Sequence, residues 1–418
     1  MEKFLVINAG SSSLKFSVYD MPAKRELANG YIEKIGNEDC FWTVKSELGE
    51  GEKFENSRYL KNHDEAVAVM MEELMKHDVI QSMDEICGVG HRVLHGGEFY
   101  SESVLIDDEV LSNIEALTPL GPLHHPGEIA GIRAMEAMLP GVLQVAVFDT
   151  AFHQSMPKEN YMYPVPYDWY KKYGVRKYGF HGTSHNYITD QMKDYLGKDD
   201  VNLIICHIGS GASITAVKDG KCYDTTMGLT PLDGLMMGTR SGTIDPSVIE
   251  YVSKESGMSV EEITSILNKN SGLLGIAGKN DFRDVEQMML DGNEEAILAM
   301  DMFQRSIVRY LGQYYFELNG DVDAIVFTAG IGENAIQLRK DIVEDISIPL
   351  GVALDEEANR NIAKFKDVHS GIITSCDSTI PIYVLPTNEE LMILNDTYRI
   401  CNDIKKDDSI QYVKRDLN

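Results

Sequence analysis

Several residues in this chain are typed and spaced to hold a small anion. Asn8-Ala9-Gly10-Ser11-Ser12-Ser13 is a run of small residues with Lys15 at its exit, and His207-Ile208-Gly209-Ser210-Gly211-Ala212-Ser213 is a second run of the same kind. Small residues let backbone N–H groups converge on a phosphate, hydroxyls add donors, and a lysine supplies a point charge. Two arginines stand near glycines, in His91-Arg92-Val93-Leu94-His95-Gly96-Gly97 and in Gly238-Thr239-Arg240-Ser241-Gly242. A guanidinium fork suits a carboxylate or phosphate, the alternative for Arg92 being a buried structural arginine paired with an acid. Asp149, in Asp149-Thr150-Ala151-Phe152-His153, follows an apolar run. A carboxylate at a strand end is where catalytic groups sit in α/β domains, and it is also the position of a helix N-cap.

The elements that would place these groups follow from hydrophobic periodicity. Phe4 to Ile7 is an apolar strand, and Leu14, Phe16 and Val18 alternate with polar partners, so the first small-residue run predicts the turn of a β-hairpin. Leu203 to Cys206 and Ile214 to Val217 repeat the pattern, followed by an Asp219-Gly220 hairpin signal. Gly10-Ser11 and Gly209-Ser210 stand 199 residues apart in a chain of 418. A repeat at half the chain length predicts two domains of like topology, with the two phosphate turns flanking one cleft and Arg92 and Arg240 acting on one phosphoryl group from opposite sides.

Composition bounds the reading. The chain is too long for one core. Its 43% hydrophobic and 25% charged residues are ordinary for a globular enzyme, and a net charge of −28 argues against nucleic acid or an anionic membrane as partner. The six cysteines are scattered without CxxC spacing, no signal-type segment precedes the first strand and no run reaches transmembrane length, so a cytoplasmic protein with reduced thiols is expected.

Along the rest of the chain, strands are expected over 26–35 and 40–44, an exposed loop over 47–56 and a helix over 64–77. Pro122 to Gly127 is loop-like and holds His124 and His125 without a third ligand at zinc spacing. Helices are expected over 247–256, 260–269 and 294–318, with a polar loop over 278–284. Ala324 to Phe327 is a buried strand entering Thr328-Ala329-Gly330-Ile331-Gly332-Glu333-Asn334-Ala335, formally a dinucleotide-type GxGxxA. Pro349 and Gly351 interrupt what should then be a βαβ unit, so a glycine-rich wall against an adenosine fits better than a dehydrogenase. Thr387 and Glu390 predict a capping box, which leaves Glu389 either to reach a magnesium ion or to favour the helix dipole. A loosely ordered tail is expected from Asp403. No GxxxxGK[ST] is present, so a kinase here is not of the P-loop type.

Taken together, Asn8 to Lys15, His91 to Gly97, Asp149 to His153, Tyr178 to His185, His207 to Ser213, Gly238 to Pro246, Thr328 to Asn334 and Pro386 to Glu390 resemble the motifs of the acetate kinase family, in family order across nearly the whole chain. The resemblance implies the fold shared with sugar kinases, actin and chaperone ATPases: two similar α/β domains, each a mixed sheet flanked by helices, around a nucleotide cleft. The expected division is 1–150, joined by the C-terminal helix 387–418, and 151–386. It implies reversible, direct in-line phosphoryl transfer between ATP and acetate, giving ADP and acetyl phosphate, with Mg2+ (or Mn2+), in a homodimer. By position, Asn8 and Glu389 would hold the metal and Lys15 would contact phosphate. Arg92 would bind the acyl anion. Arg240 and His181 would stabilise the transferring group, and Asp149 would be the catalytic carboxylate, orienting Arg92 or the acyl group because acetate is already ionised.

The resemblance also implies that His207, Ile208, Gly209, Ser210 and Gly211 bind the nucleotide phosphates, that Asp281, Phe282, Arg283 and Gly330, Ile331, Gly332, Glu333, Asn334 line the adenosine site, and that Leu94, Leu123, Phe180 and Pro231 form a methyl pocket. Two positions depart from the family pattern: Ser210 replaces the asparagine of His-x-Gly-Asn-Gly, and His125 replaces that of His-Asn-Pro, with Gly127-Glu128 following. The competing readings are a propionate or butyrate kinase, an ATP-gated protein that is not an enzyme, and a dehydrogenase.

Overall fold

The structure is a computed structural model and describes residues 2–47, 51–363 and 369–406. The chain divides into two compact units, one made of residues up to Ala151 together with those from Asn388 on, the other of Phe152–Thr387.

In the first unit the apolar run Phe4–Ile7 lies in β1 (Glu2–Ala9), which returns through the Gly/Ser turn as antiparallel β2 (Ser13–Met21). β3 (Arg25–Glu33), β4 (Phe41–Ser46) and β5 (Lys53–Ser57) extend the meander on one side. On the other side lie β6 (Ile86–Val93), β8 (Gln144–Phe148) and the short edge strand β7 (Val104–Leu105), giving the order β5-β4-β3-β2-β1-β6-β8-β7. β1, β6 and β8 are parallel, so their carboxyl ends lie together.

Both faces of this sheet are covered. The helix His63–Lys76, capped by Asn62 and acidic in its first turn, packs Ala66, Val67, Met70 and Leu74 against Leu5, Ile7 and Phe16. Ala134 and Met135 of the helix His125–Met138 join the same cluster. The helix Glu389–Lys406 sets Ile393, Leu394 and Cys401 on Phe4, Val6, Val145 and Val147 on the opposite face. Each such side chain contributes about 1.5–3 kcal/mol on burial. The helix lies so close to β6 that a Cβ on Gly90 would come within 2.2 Å of Thr397 Oγ1, which only glycine avoids.

The second unit repeats the plan. β9 (Leu203–Ile208) turns into antiparallel β10 (Ala212–Lys218), which continues through Asp219-Gly220, both at positive φ, into β11 (Lys221–Thr225). β12 (Ala324–Thr328) and β14 (Ile382–Val384) add in parallel, and β13 (Gly371–Ile372) closes the edge in the order β11-β10-β9-β12-β14-β13. Strand for strand this matches β3-β2-β1-β6-β8-β7, so the repeat seen in the two Gly/Ser turns extends over six strands. Ile188 and Met192 of the helix Gly182–Leu196 pack on one face of this sheet, and Phe303, Ile307 and Leu311 of the helix Glu294–Glu317 are fully buried.

Several local expectations need correction. Thr387 and Glu390 form no capping box: Asn388 Oδ1 caps the last helix by accepting the Leu391 N–H (2.8 Å), while Thr387 Oγ1 meets Ser184 Oγ (2.7 Å) and Glu390 accepts from Ser17 (2.6 Å) and Tyr19 (3.2 Å). Tertiary hydroxyls won both side chains from the local motif. Within the expected loop 47–56, residues from Lys53 form β5, and 48–50 lie outside the described residues. The last helix runs through Asp403 to Lys406, with the remainder of the expected tail outside the described residues. β12 and β14 do form a parallel pair with helices between, Pro349 falling in the last turn of the helix Ile336–Leu350.

Candidate functional site

Arg92 is the hub of the first unit's site. It is the penultimate residue of β6, flanked by the carboxyl ends of β1 and β8, and its guanidinium makes a two-point contact with Asp149, Nε to Oδ1 at 3.1 Å and Nη2 to Oδ2 at 2.6 Å. Nη1 reaches Asn8 Oδ1 at 3.4 Å. Asp149 is almost wholly buried just beyond β8. Its negative charge raises the Arg92 pKa above its ordinary value, while burial works to raise the Asp149 carboxyl and Arg92 opposes it. Fork-on-fork geometry is that of an ionised pair. Glu389, first residue of the last helix, adds its field to both groups.

The first small-residue turn stands beside this pair. Asn8 pairs across the hairpin with Lys15, the Gly10 N–H closes on the Ser13 carbonyl (2.8 Å), and the Gly10 carbonyl takes a hydrogen bond from His63 Nε2 (2.8 Å). The helix His125–Met138 backs the turn so tightly that a Cβ on Gly127 would sit 2.3 Å from the Gly10 oxygen. Leu94 is buried next to Arg92, and its N–H donates to Glu128 Oε1 at 3.1 Å. Leu123 lies before the same helix with its side chain half exposed.

In the second unit the turn Gly209–Gly211 is the hub. The Gly209 N–H bonds the Gly211 carbonyl (3.2 Å), and the Ser210 carbonyl accepts the Gly238 N–H (3.0 Å), tying the Arg240 loop to the turn. Arg240 Nη1 donates to the Pro231 carbonyl at 3.0 Å. Arg240 Nη1 and His181 Nε2 converge: they lie 3.5 and 3.6 Å from where a Cβ on Gly211 would be. His181 is in the left-handed region at φ 58 and stacks on His207 with ring centroids 4.2 Å apart.

Hydroxyls fix these rings. Ser213 Oγ lies between His181 Nδ1 (2.9 Å) and His185 Nε2 (2.8 Å), and Ser184 Oγ joins His207 Nδ1 (2.8 Å) to Thr387. Burial drives the His185 pKa well below its usual value, so His185 is neutral. Its Nδ1 is buried without a partner. A neutral ring tolerates that only if Nδ1 is the bare acceptor, so Nε2–H donates to Ser213, whose own proton then goes to His181 Nδ1. His181 is thereby set with its proton on Nε2, facing Gly211. Phe180, fully buried, has its carbonyl bonded by His153 Nε2 at 2.9 Å.

The remaining expected residues lie elsewhere in this unit. Asp281 caps the helix Phe282–Leu290 and binds Arg283 at 3.1 and 2.7 Å, which holds its carboxyl down at about 2, while Phe282 is buried against Phe303. Gly330 to Asn334 form a short helix directly after β12, entered through Ala329 at φ 66. Arg339 supports it from within: fully buried, it bonds the Gly332 carbonyl (2.9 Å), Asn359 and the Ile362 carbonyl. Sequence reasoning missed Arg339, Ser184 and Ser213. An arginine in a helical pattern reads as solvent-facing, and serine carries no periodic signal.

Among the described residues no group of three or more His, Cys, Asp or Glu side chains could hold a metal ion by itself. The oxygen donors near Arg92, the Asn8 amide and the Glu389 carboxylate, suit a hard cation that keeps waters and takes its other ligands from substrate phosphates.

A duplicated mixed-sheet plan with a small-residue turn after the first strand of each copy, and an arginine held at each site, places the chain in the duplicated α/β class of the sugar kinases and actin. The chain belongs to the acetokinase family, whose model matches residues 3–395. It is 51% identical over 405 residues to an acetate kinase of Exiguobacterium sp., covering 96% of this chain and 98% of that protein. Among solved structures it is similar to the acetate kinase of Porphyromonas gingivalis (41% identity, TM-score 0.89, covering 96% of this chain and all of that one). It is equally close to a propionate kinase of Francisella tularensis (43% identity, TM-score 0.88, same coverage).

Proposed function

We propose that this protein is an acetate kinase, transferring the γ-phosphoryl group of ATP directly to acetate and back from acetyl phosphate to ADP. The observation that carries the reading is Arg92 locked by Asp149 at the strand ends, with the buried Leu94 two residues on: a cationic clamp beside an apolar wall, the two features of a short carboxylate. Acetate is ionised at neutral pH, so its oxygen attacks without a base. Both Asp149 oxygens are engaged by Arg92, so Asp149 acts through Arg92 as a positioning residue.

His181 and Arg240, converging over Gly211, meet the charge on the equatorial oxygens of the transferring group, and donors so placed are each worth about 10²–10³ in rate. The turn from His207 to Gly211 and Lys15 bind nucleotide phosphate, with Gly330 to Asn334 beside the nucleoside. Leu94, Leu123, Phe180 and Pro231 contact the acyl group. Asn8 and Glu389 would hold a magnesium ion, with manganese as a substitute, which neutralises phosphate charge when bound. A homodimer is part of the same reading, as is a cytoplasmic location, with which the six free thiols accord.

The test is ADP formation by the purified protein with ATP and magnesium, offered acetate, propionate or butyrate in turn. Acetate should give the highest kcat/KM, with propionate lower by about 10–200-fold, the worth of one methylene in a fitted pocket. A preference for propionate would establish the propionate kinase reading instead, and ATP turnover indifferent to all three acids would sink both.

A further inference from the structure

The most unusual buried pair in the first unit is Glu128 and His125, one turn apart at the start of the helix His125–Met138. Both are essentially without solvent contact, and Glu128 Oε2 and His125 Nε2 face each other at 3.9 Å, neither with a hydrogen-bond partner. The other atoms of the pair are committed. His125 Nδ1 donates to the Ile114 carbonyl at 2.9 Å, and Glu128 Oε1 accepts the Leu94 N–H at 3.1 Å. Leu94 Cδ2 and the His125 ring also meet around Gly121, both within 3.2 Å of where its Cβ would be.

We propose that Glu128 is a positioning residue for acyl-substrate binding: it fixes Leu94 through the Leu94 N–H, and its charge state sets how strongly Arg92 draws an anion. This rests on the acetate kinase reading and deepens it. The hydrogen-bond pattern decides where the proton of the pair resides. A carbonyl can only accept, so His125 carries its proton on Nδ1 and presents a bare lone pair at Nε2. Burial lowers the His125 pKa, which keeps the ring neutral. A carboxylate oxygen facing that lone pair would be repelled, whereas a carboxylic acid O–H is complementary to it. Burial pushes the Glu128 carboxyl up to about 8, against the pull of Arg92 and with the push of Asp149.

The groups around Glu128 are few. β6 contributes Arg92, the segment after it contributes the buried His95, whose ring centroid lies 6.5 Å from that of His125, the end of β8 contributes Asp149, and its own helix contributes His125. The helix His63–Lys76 contributes His63, engaged with the Gly10 carbonyl, and the helix Asp108–Ala116 contributes the Ile114 carbonyl, its Glu115 being paired with Arg133. Asp149 and, from the start of the last helix, Glu389 oppose Arg92 in charge. An ionised Glu128 would add a further negative charge to this cluster and oppose a carboxylate ligand.

The deciding experiment measures acetate KM and kcat of the wild type and Glu128→Gln from about pH 7 to 9. In the wild type, KM should rise above pH 8, by up to roughly tenfold per pH unit, with kcat changing less. In the variant, which keeps an oxygen for Leu94 and cannot ionise, KM should be independent of pH whatever its level. An identical pH course in both proteins overturns the proposal while leaving the acetate kinase reading intact, and absence of acetate-dependent turnover in the wild type at pH 7 overturns that reading and the proposal with it. Should the variant not fold, the wild type decides alone. With 13C-labelled glutamate, a carboxyl resonance titrating near pH 8 and moved by acetate is expected, and its absence refutes the proposal.

Discussion

Asp149 shows how little of this chemistry resides in any one side chain. Its two oxygens are spent on Arg92, so its worth lies in holding the guanidinium plane where an acyl anion meets it. Asp149→Asn keeps the shape and removes the charge. It should raise acetate KM more than it lowers kcat, with a combined loss of about 10² in kcat/KM from misplacement of the clamp, measured by steady-state kinetics. Ser213 plays the corresponding part for His181. Ser213→Ala removes the hydroxyl that fixes the His181 tautomer and should lower kcat by about 10–100-fold, the cost usual for a supporting hydrogen bond, with ATP KM nearly constant.

At the scale of elements, the helix His125–Met138 is what shapes the first phosphate turn. Gly127→Ala would drive a methyl group into the Gly10 carbonyl, and because both contacts are main chain neither can rotate away. The variant should lose about 1–3 kcal/mol in urea unfolding, together with nucleotide-dependent turnover. This helix also marks where the sequence stops being legible. The hairpins declared themselves through alternation and glycine, and the acid-capped helix 63–76 through its period. His-His-Pro-Gly reads as loop, yet Pro126 fits a first helical turn, where its missing N–H costs nothing. Thr387 and Glu390 obeyed a local capping rule that distant Ser184, Ser17 and Tyr19 overrode. β5, Lys-Phe-Glu-Asn-Ser, is an exposed edge strand with no buried face to impose a pattern. For side chains that act through others, such as Glu128, Ser213 and Arg339, the role was not legible because it exists only in three dimensions.

For the molecule as a whole, the repeat of six strands explains why two Gly/Ser turns separated by half the chain were the most informative feature of the sequence. The second turn is one residue shorter than the first, since Ala9 pairs with Leu14 while Ile208 pairs with Ala212. Global stability should show the cost of burying neutral imidazoles in both units. His91, bonded to Gln144, and His153, bonded to the Phe180 carbonyl, have pKa values pressed down to about 4 by burial. The unfolded chain binds more protons than the folded one between about pH 6.5 and 4, so stability is complete above that window and lost as pH falls through it, by up to about 3 kcal/mol per histidine. Urea midpoints should therefore drop from pH 7 to 5, and His91→Asn should flatten the decline.

The most direct measurement of the central claim is trapping of the product. With ATP, magnesium, acetate and hydroxylamine, the wild type should accumulate acetyl hydroxamate in step with ADP, and Arg92→Ala should lower that rate by about 10³ or more, the scale for removing a charged donor at a reacting group. ADP released without hydroxamate, or hydroxamate formed as fast by the variant as by the wild type, would contradict the account.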